Sequence, residues 1–345
     1  MPPLQPIPAF INETSGADRG LICGFQLAAG EKPREIAVDA IVQSLSRQDV
    51  VTWLHFNLSE ARARRWLLES HFLPAALREL LHDQDDNRRM EWVDDGLLLV
   101  MSDFTYEDAA DPSEVAALWC FASRKRLITA RMHPLRSSDE LRLLMRGGGS
   151  ASPITAGSGL ELIAQLLDLR TARLRQLAND MTERLDDIED EILAGDIREQ
   201  REHLGRTRRL CARLRRQFVS ERVDWNKFLR RPPAELEEDA GHEALQSSAD
   251  NLGFAIEEVA ELYERAKLLQ EELASRLAEN TGRNLYVLSL LTAVLLPMTL
   301  VTGIFGMNLA GLPGMHDPHS FWRVMLLVIA SGVATLAALF WRRLL

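Results

Sequence analysis

The sequence has few of the features that mark a soluble enzyme. Its three cysteines, Cys23, Cys120 and Cys211, are far apart and form no Cys-x-x-Cys pair. This argues against a disulfide framework or a cysteine zinc site and suits a reducing compartment. No G-x-S-x-G elbow, Walker loop or H-E-x-x-H helix occurs. We therefore expect a protein that is not an enzyme, needs no cofactor and binds no nucleotide.

The sequence also lacks an excess of positive charge. The 345 residues carry 40 Lys and Arg against 50 Asp and Glu, a net charge of −10, which argues against nucleic acid as a partner. The first ten residues, MPPLQPIPAF, have no basic segment and no long apolar run, so we do not expect a signal peptide. Residues 1–19 are rich in proline, and we expect a flexible N-terminus there.

Two long stretches without charge stand near the end of the chain. They are LYVLSLLTAVLLPMTLVTGIF, residues 285–305, and VMLLVIASGVATLAALFW, residues 324–341. A bilayer core about 30 Å thick is crossed by roughly 20 apolar residues in a helix. The sequence therefore predicts transmembrane helices at 285–305 and 321–341 in contact with a lipid bilayer.

The arginines near these spans predict their orientation. The connection at 306–320 has no Lys or Arg, whereas basic residues precede the first span and follow the second: Arg276, Arg283, Arg342 and Arg343. Because basic residues favour the cytoplasmic side, both termini are expected in the cytoplasm. This predicts a multi-pass protein of the inner membrane with a periplasmic loop at 306–320 and a cytoplasmic C-terminus at 342–345.

The region before the spans divides into two parts. Between residues 20 and 147, four segments rich in β-branched and aromatic residues predict strands, and 59–72 and 74–82 predict helices. The four segments are LICGFQL, VVTWLHFNL, GLLLVMSDFTY and VAALWCFASRKRLITARM. This pattern indicates a cytoplasmic α/β domain with a mixed sheet. The Gly- and Ser-rich residues 148–159 predict a linker.

Residues 160–284 predict a cytoplasmic helical hairpin followed by a stalk helix. Apolar residues at helical spacing predict helices at 160–193 and roughly 197–229. A third helix starts near Gly241 or Leu245 and meets no proline before Pro297. The fold class expected is therefore an α+β membrane protein: an N-terminal cytoplasmic α/β domain, a long helical stalk hairpin and two C-terminal transmembrane helices.

The first span carries a stripe of small, hydroxyl and leucine residues at steps of three and four. Its members within the span include Ser289, Thr292, Leu296, Thr299 and Gly303. Two interpretations stay open, because such stripes serve both for helix packing and for lining a water path. Two spans alone cannot enclose a pore, so a transporter of this kind must be an oligomer.

The first span ends in Gly306-Met307-Asn308. This tripeptide, within the phrase YVLSLLTAVLLPMTLVTGIFGMN, resembles the CorA metal-ion transporter family. The following LAGLPG is similar to the ZntB zinc-transporter branch, whereas Met307 is the form usual in magnesium-type members. The resemblance covers essentially the whole chain. The alternative from the residues alone is that Gly306 and Asn308 form a left-handed helix C-cap.

The resemblance implies a funnel-shaped homopentamer that transports divalent cations. Gly306, Met307 and Asn308 would form the ion-selective ring at the outer mouth, with the stripe lining the pore below it. The resemblance implies Zn²⁺ as the transported ion, with possible coupling to protons. The alternative is a CorA-type Mg²⁺/Co²⁺ channel gated by cytoplasmic Mg²⁺. A membrane-anchored sensor or scaffold that conducts nothing is the competing class.

Two further groups of residues are candidates for contact with metal ions. His316, Asp317 and His319 in the outer loop carry imidazole and carboxylate groups that bind Zn²⁺, or they form an ordinary solvated loop. A second group follows one helical face and is expected to attract cations in the cytoplasm: Asp180, Glu183, Asp187 and Asp190. Alternatively, the eight arginines between Arg198 and Arg216 neutralise these carboxylates across the hairpin.

Overall fold

The structure is a computed structural model. It describes residues 20–28, 31–37, 40–47, 49–70, 73–106, 114–147, 156–194, 200–237, 239–307 and 319–341. The chain forms two compact units, Met1–Leu269 and Gln270–Leu345.

A mixed seven-stranded sheet forms the centre of the first unit. Its strands are β1 (Leu21–Ala28), β2 (Arg34–Glu35), β3 (Val50–Asn57), β4 (Arg89–Val93), β5 (Gly96–Phe104), β6 (Val115–Ser123) and β7 (Arg126–Arg131). Their spatial order is β2-β1-β3-β7-β6-β5-β4. β3 and β7 are parallel and the other neighbours are antiparallel, so the predicted mixed sheet is confirmed.

Each predicted strand segment contains a strand, and the last contains two. The run from Val115 to Met132 folds into the hairpin of β6 and β7, which turns at Arg124 and Lys125. Four short helices accompany the sheet: α1 (Ile41–Ser46), α2 (Ala61–Glu69), α3 (Ala75–Asp83) and α4 (Arg136–Met145). The helix predicted at 59–72 begins only at Ala61, because the Ser59 hydroxyl donates to the Met132 carbonyl at 2.7 Å instead of capping a helix. Residues 71–72 of that prediction lie outside the described residues.

Both faces of the sheet are covered. On one face, Leu67 of α2 and Leu77 of α3 join a buried apolar cluster with Phe56 of β3 and Phe121 of β6. On the other face lie α4 and the helix α5 (Gly159–Ala194). β3 is therefore buried along nearly its whole length, as its sequence VVTWLHFN, apolar on both faces, requires.

Three long helices pack together in the first unit. α5 is followed by α6 (Gln200–Leu229), the short α7 (Ala234–Glu237) and α8 (Ala240–Phe305), close to the predicted bounds. The Cys211 sulfur lies 3.4 Å from the Met181 sulfur, which joins α6 to α5. The Ser248 hydroxyl donates to the Ala164 carbonyl at 3.2 Å, which joins α8 to α5. The hairpin and the first part of α8 thus form a three-helix bundle.

The second unit consists of the end of α8 and α9 (Ser320–Trp341). Both helices are long and apolar enough to cross a membrane. They contact each other at Gly332, where an added Cβ would lie 2.9 Å from the sulfur of Met298. α8 ends at Phe305 and α9 ends at Trp341.

Candidate functional site

The predicted stripe forms one exposed face at the end of α8. Ser289, Thr292, Leu296, Thr299 and Gly303 are all exposed in the single chain. Leu296 is 67% exposed although it lies in the middle of the span. A continuous exposed face of this kind is open to lipid, to water or to another copy of the chain.

A different face of α8 is half-buried and carries Met298, which contacts Gly332 of α9. Its members are half-buried and recur at helical spacing: Leu290, Ala293, Val294, Pro297, Met298, Val301 and Phe305. At about 100° per residue, this face lies on the opposite side of the helix from the stripe. The stripe therefore does not pack within the chain, and packing between α8 and α9 is not the reason for its small residues.

The two threonine hydroxyl groups of the stripe have a fixed orientation. Thr292 donates to the Leu288 carbonyl and Thr299 to the Leu295 carbonyl, both at 2.8 Å. Each hydroxyl hydrogen is used inside the helix, so the oxygen offers only lone pairs to its surroundings. The stripe contains no carboxylate or amine and thus presents a neutral row of acceptors.

Pro297 lies on the face toward α9 rather than on the stripe. It has no backbone N–H, so the carbonyl of Ala293 loses its usual helical donor. Both residues are half-buried in the helix pair. Freed backbone acceptors are tolerated at membrane depth when neighbouring protein covers them.

At the end of the span, Gly306 continues the helical hydrogen bonding. Its N–H donates to the Thr302 carbonyl at 2.9 Å, and the N–H of Met307 donates to the Ile304 carbonyl at 3.4 Å. Among the described glycines, only Gly20 and Gly147 have positive φ, so Gly306 is not a left-handed cap. An added Cβ at Gly306 would lie 2.9 Å from the Thr302 oxygen, which explains the need for glycine.

The outer-loop candidates are mostly outside the described residues. This holds for Asn308, His316 and Asp317. His319 is described and exposed, and its carbonyl accepts the N–H of Arg323 at 3.2 Å in the first turn of α9. Within the described ranges, no group of three or more His, Cys, Asp or Glu side chains is arranged to hold a metal ion.

The four carboxylates predicted to attract cations share an exposed face of α5. Asp180, Glu183, Asp187 and Asp190 all lie there. Their neighbours Asp186 and Glu189 instead contact Arg265 of α8, at 2.6 and 2.5 Å. The pairing of the acidic segment with α8 was not predicted, because nothing in the spacing identifies a partner nearly 80 residues away.

The buried polar groups of the sheet show no accessible chemistry. His55 accepts or donates one hydrogen bond, to the Thr129 hydroxyl at 2.7 Å. Burial, followed by the nearby charges of Arg131 and Arg142, holds the pKa of His55 well below its usual value. Burial raises the pKa of Asp103, although the Ser137 hydroxyl donates to it at 2.6 Å. These groups stabilise the fold through buried hydrogen bonds.

Comparison with known proteins agrees with this architecture. The family model described as CorA-like Mg²⁺ transporter protein matches residues 48–343. The divalent cation transporter CmaX of Pseudomonas aeruginosa is 30% identical over 334 residues, covering 96% of this chain and 98% of that protein. The zinc transport protein ZntB of Pectobacterium carotovorum is 28% identical over 300 residues, covering 85% and 90%.

The solved structure of full-length CmaX has the same fold. It matches with a TM-score of 0.77 at 28% identity, covering 96% of this chain and 99% of that one. Fold and stripe define a membrane protein with a soluble α/β domain, a long helix and two C-terminal apolar helices. The chain belongs to the CorA-like transporter family, a family of divalent cation transporters and not of enzymes.

Proposed function

We propose that this protein carries divalent cations across the inner membrane through a pore on the axis of a homopentamer. The observation that carries the proposal is the exposed stripe of α8, which lies opposite the face that packs on α9. In a ring of copies with α9 outermost, the stripes face the axis. Thr292 and Thr299 then offer neutral acceptors to the water shell of a passing cation.

Gly306, Met307 and Asn308 are proposed as the outer ring. One Asn308 amide from each copy gives a neutral set of oxygens that binds the hydration shell without trapping the ion. Gly306 has no space for a side chain beside the Thr302 carbonyl and so sets the path of the chain into the ring. The neutral chemistry suits strongly hydrated ions.

Zn²⁺ is the proposed ion. The similarity to zinc transport protein ZntB and the LAGLPG sequence after the tripeptide support it. Mg²⁺ or Co²⁺ transport gated by cytoplasmic Mg²⁺ is the alternative, supported by Met307 and by the description of the family model. His316, Asp317 and His319 are proposed to bind Zn²⁺ at the outer mouth, where imidazole and carboxylate are suitable ligands.

The topology proposed has both termini in the cytoplasm. Residues 20–147 and 160–284 are the cytoplasmic parts, 148–159 links them, and 306–320 is periplasmic. The arginines on either side of the two spans support this orientation. The exposed carboxylates of α5 are proposed to attract cations. A divalent ion moving inward gains about 4.6 kcal/mol per 100 mV, which supplies a driving force without nucleotide.

Uptake by liposomes tests the proposal. The purified full-length protein is reconstituted around a metal-sensitive dye, and Zn²⁺ and Mg²⁺ entry are compared with and without an inward proton gradient. Zn²⁺ entry stimulated by the gradient supports the zinc proposal. Mg²⁺ entry that ignores pH and stops as internal Mg²⁺ rises supports the alternative. If neither ion enters, the protein is an anchored scaffold and the proposal fails.

Matched variants locate the path. Asn308→Ala should lower uptake sharply with the oligomer intact. Thr299→Val removes a stripe hydroxyl, and Thr335→Val removes a similarly bonded hydroxyl from the half-buried face of α9. We expect Thr299→Val to lower uptake and Thr335→Val to leave it unchanged. Equal effects of the two threonine variants would contradict a pore along the stripe.

A further inference from the structure

Two stripes of opposite charge face outward on the hairpin of α5 and α6. The acidic stripe on α5 consists of Asp180, Glu183, Asp187 and Asp190. The basic stripe on α6 consists of Arg206, Arg209, Arg213 and Arg216. All eight residues are exposed, and each stripe covers eleven residues, or ten steps of about 1.5 Å that make about 15 Å of helix.

The two stripes do not face each other within one chain. α5 turns Met181, Leu185 and Ile188 into the bundle, and α6 turns Cys211 and Leu214 into it. At about 100° per residue, each charged stripe lies on the side of its helix opposite these buried residues. Both stripes therefore point away from the centre of the bundle.

Most of these charges have no partner in the described part of the chain. Arg206 contacts Glu202 at 2.6 Å, one turn earlier on its own helix. Among the described residues, the four carboxylates of the acidic stripe form no ion pair, and neither do Arg209 and Arg216. The acidic stripe, together with Arg209 and Arg216 of the basic stripe, is thus available for an outside contact.

The contacts between α5 and α6 fix the heights of the stripes along the bundle. Arg170 contacts Glu221 at 2.6 Å, and Met181 contacts Cys211 at 3.4 Å, so the helices are antiparallel with a constant offset. By this offset Glu183 is level with Arg209. Asp187 and Asp180 are level, within one residue, with Arg206 and Arg213.

We propose that the acidic stripe of α5 in one copy docks on the basic stripe of α6 in the next copy around the ring. The proposal rests on the homo-oligomer proposed above and deepens it. A cyclic symmetry axis parallel to the bundle keeps every residue at its own height, so residues that are level in one chain meet between neighbouring chains. Glu183 then contacts Arg209 of the adjacent copy.

The contact is head-to-tail, since each copy offers an acidic stripe on one helix and a basic stripe on another. Such a contact closes into a ring and does not stop at a dimer. Its attraction is electrostatic, so it weakens as the Debye length falls from about 10 Å at 0.1 M salt to about 3 Å at 1 M. In this arrangement the carboxylates of α5 hold neighbouring subunits together, which is the alternative to their proposed attraction of cations.

Disulfide cross-linking in membranes tests the contact on the full chain. The variant carrying Glu183→Cys and Arg209→Cys is oxidised in native membranes and separated without reductant. A disulfide needs Cα atoms within about 7 Å, so bonding between copies requires the proposed contact. We expect a ladder of covalent oligomers beyond the dimer, which becomes weaker at 1 M salt. The native cysteines are buried, so the unsubstituted chain should give no ladder.

The control pairs Glu183→Cys with Lys227→Cys. Lys227 is also exposed on α6 but lies about 27 Å from the height of Glu183. A ladder from the 183/209 pair alone supports the proposal. Dimers only, equal ladders from both pairs, or no ladder would overturn it. If the double variant Glu183→Gln with Asp187→Asn loses uptake while the 183/209 pair forms no disulfide, the carboxylates attract ions and the proposed contact is wrong. Cross-linking needs no transport, so failure of the proposed function is detected separately.

Discussion

Replacement of Glu221 by glutamine should destabilise the first unit strongly. Glu221 and Arg170 form a buried ion pair, with side chains 3% and 0% exposed. The two nitrogens of Arg170 donate to the two carboxylate oxygens at 2.6 and 3.0 Å. Arg170 also donates to the Ser102 carbonyl at 2.8 Å and lies over the Phe218 ring. The pair therefore joins β5, α5 and α6.

The expected cost follows from the charge that is left behind. Glu221→Gln keeps the shape of the side chain but leaves the Arg170 guanidinium buried without a counter-charge. Breaking a buried pair in this way costs about 3–5 kcal/mol, whereas an exposed pair is worth about 0–1 kcal/mol. The Trp225 indole N–H donates to Glu221 at 3.3 Å, so tryptophan fluorescence of the full-length protein in detergent should follow the unfolding.

The double variant Arg170→Met with Glu221→Leu separates the two sources of stability. It removes both charges and keeps most of the buried volume, so it should unfold closer to the unsubstituted protein than Glu221→Gln does. Glu257→Gln, which loses an exposed pair with Arg222, serves as the control and should cost less than about 1 kcal/mol. A Glu221→Gln variant as stable as Glu257→Gln would refute the reasoning.

Three further predictions concern the pore end, the helix pair and the sheet. Gly306→Ala places a Cβ 2.9 Å from the Thr302 carbonyl, so we expect several-fold slower uptake with the oligomer intact, whereas unchanged uptake would contradict the role of Gly306 in the ring. Gly332→Ile should lower stability in detergent by about 1–3 kcal/mol through overpacking against Met298, and Gly332→Ala should cost less because that side chain is flexible. The buried His55 has a lowered pKa, so the unfolded chain binds more protons below its ordinary value of about 6.5 and stability falls as pH falls from there. Denaturation measured between pH 7 and 5 should show that this group changes the free energy of unfolding by at most about 1.4 kcal/mol per pH unit. His55→Asn should remove this contribution.

Sequence periodicity predicted the long helices well, because their buried faces are apolar. α5 was expected at 160–193 and occupies Gly159–Ala194, with Leu174, Leu185 and Ile192 buried as the pattern requires. The helices α6 and α8 could be predicted for the same reason. The buried face of such a helix can be predicted from the local sequence, because an apolar residue recurs every three or four positions.

α4 was not predicted because most of its buried side chains are polar. Ser137, Ser138, Asp139 and Arg142 are all buried in this helix. Asp139 pairs with Arg131 of β7 at 3.1 Å, and the Ser137 hydroxyl donates to Asp103 of β5. Because the partners come from strands elsewhere in the chain, no local pattern of hydrophobicity reveals the helix.

β4 was missed for a related reason. It is an edge strand of five residues, RMEWV, whose side chains are exposed or half-buried. An edge strand has only one neighbour and needs no strict alternation of apolar and polar residues. The turn between β6 and β7 uses Arg124 and Lys125 and lacks Gly, Pro or Asn, so the two strands gave a single predicted segment.

The candidate site was predicted in part. Spacing alone placed Ser289, Thr292 and Thr299 on one face, but it left open whether that face packs on the second span. The answer depends on the contact of Met298 with Gly332, which joins residues more than thirty positions apart. Nothing in the spacing of either span fixes which faces meet, so this step needed the structure.

The direction of the hydrogen bonds made by the threonines of the stripe bears on the sign of the charge of the ion that the stripe favours. Thr292 and Thr299 donate into their own helix, so their oxygens accept hydrogen bonds from outside but do not give them. Water around a cation turns its oxygen inward and its hydrogens outward, where these oxygens accept them. Water around an anion turns hydrogens inward and presents lone pairs, which need donors that the two threonines lack. A neutral stripe can therefore favour cations over anions without a carboxylate, and without the tight binding that would slow a divalent ion.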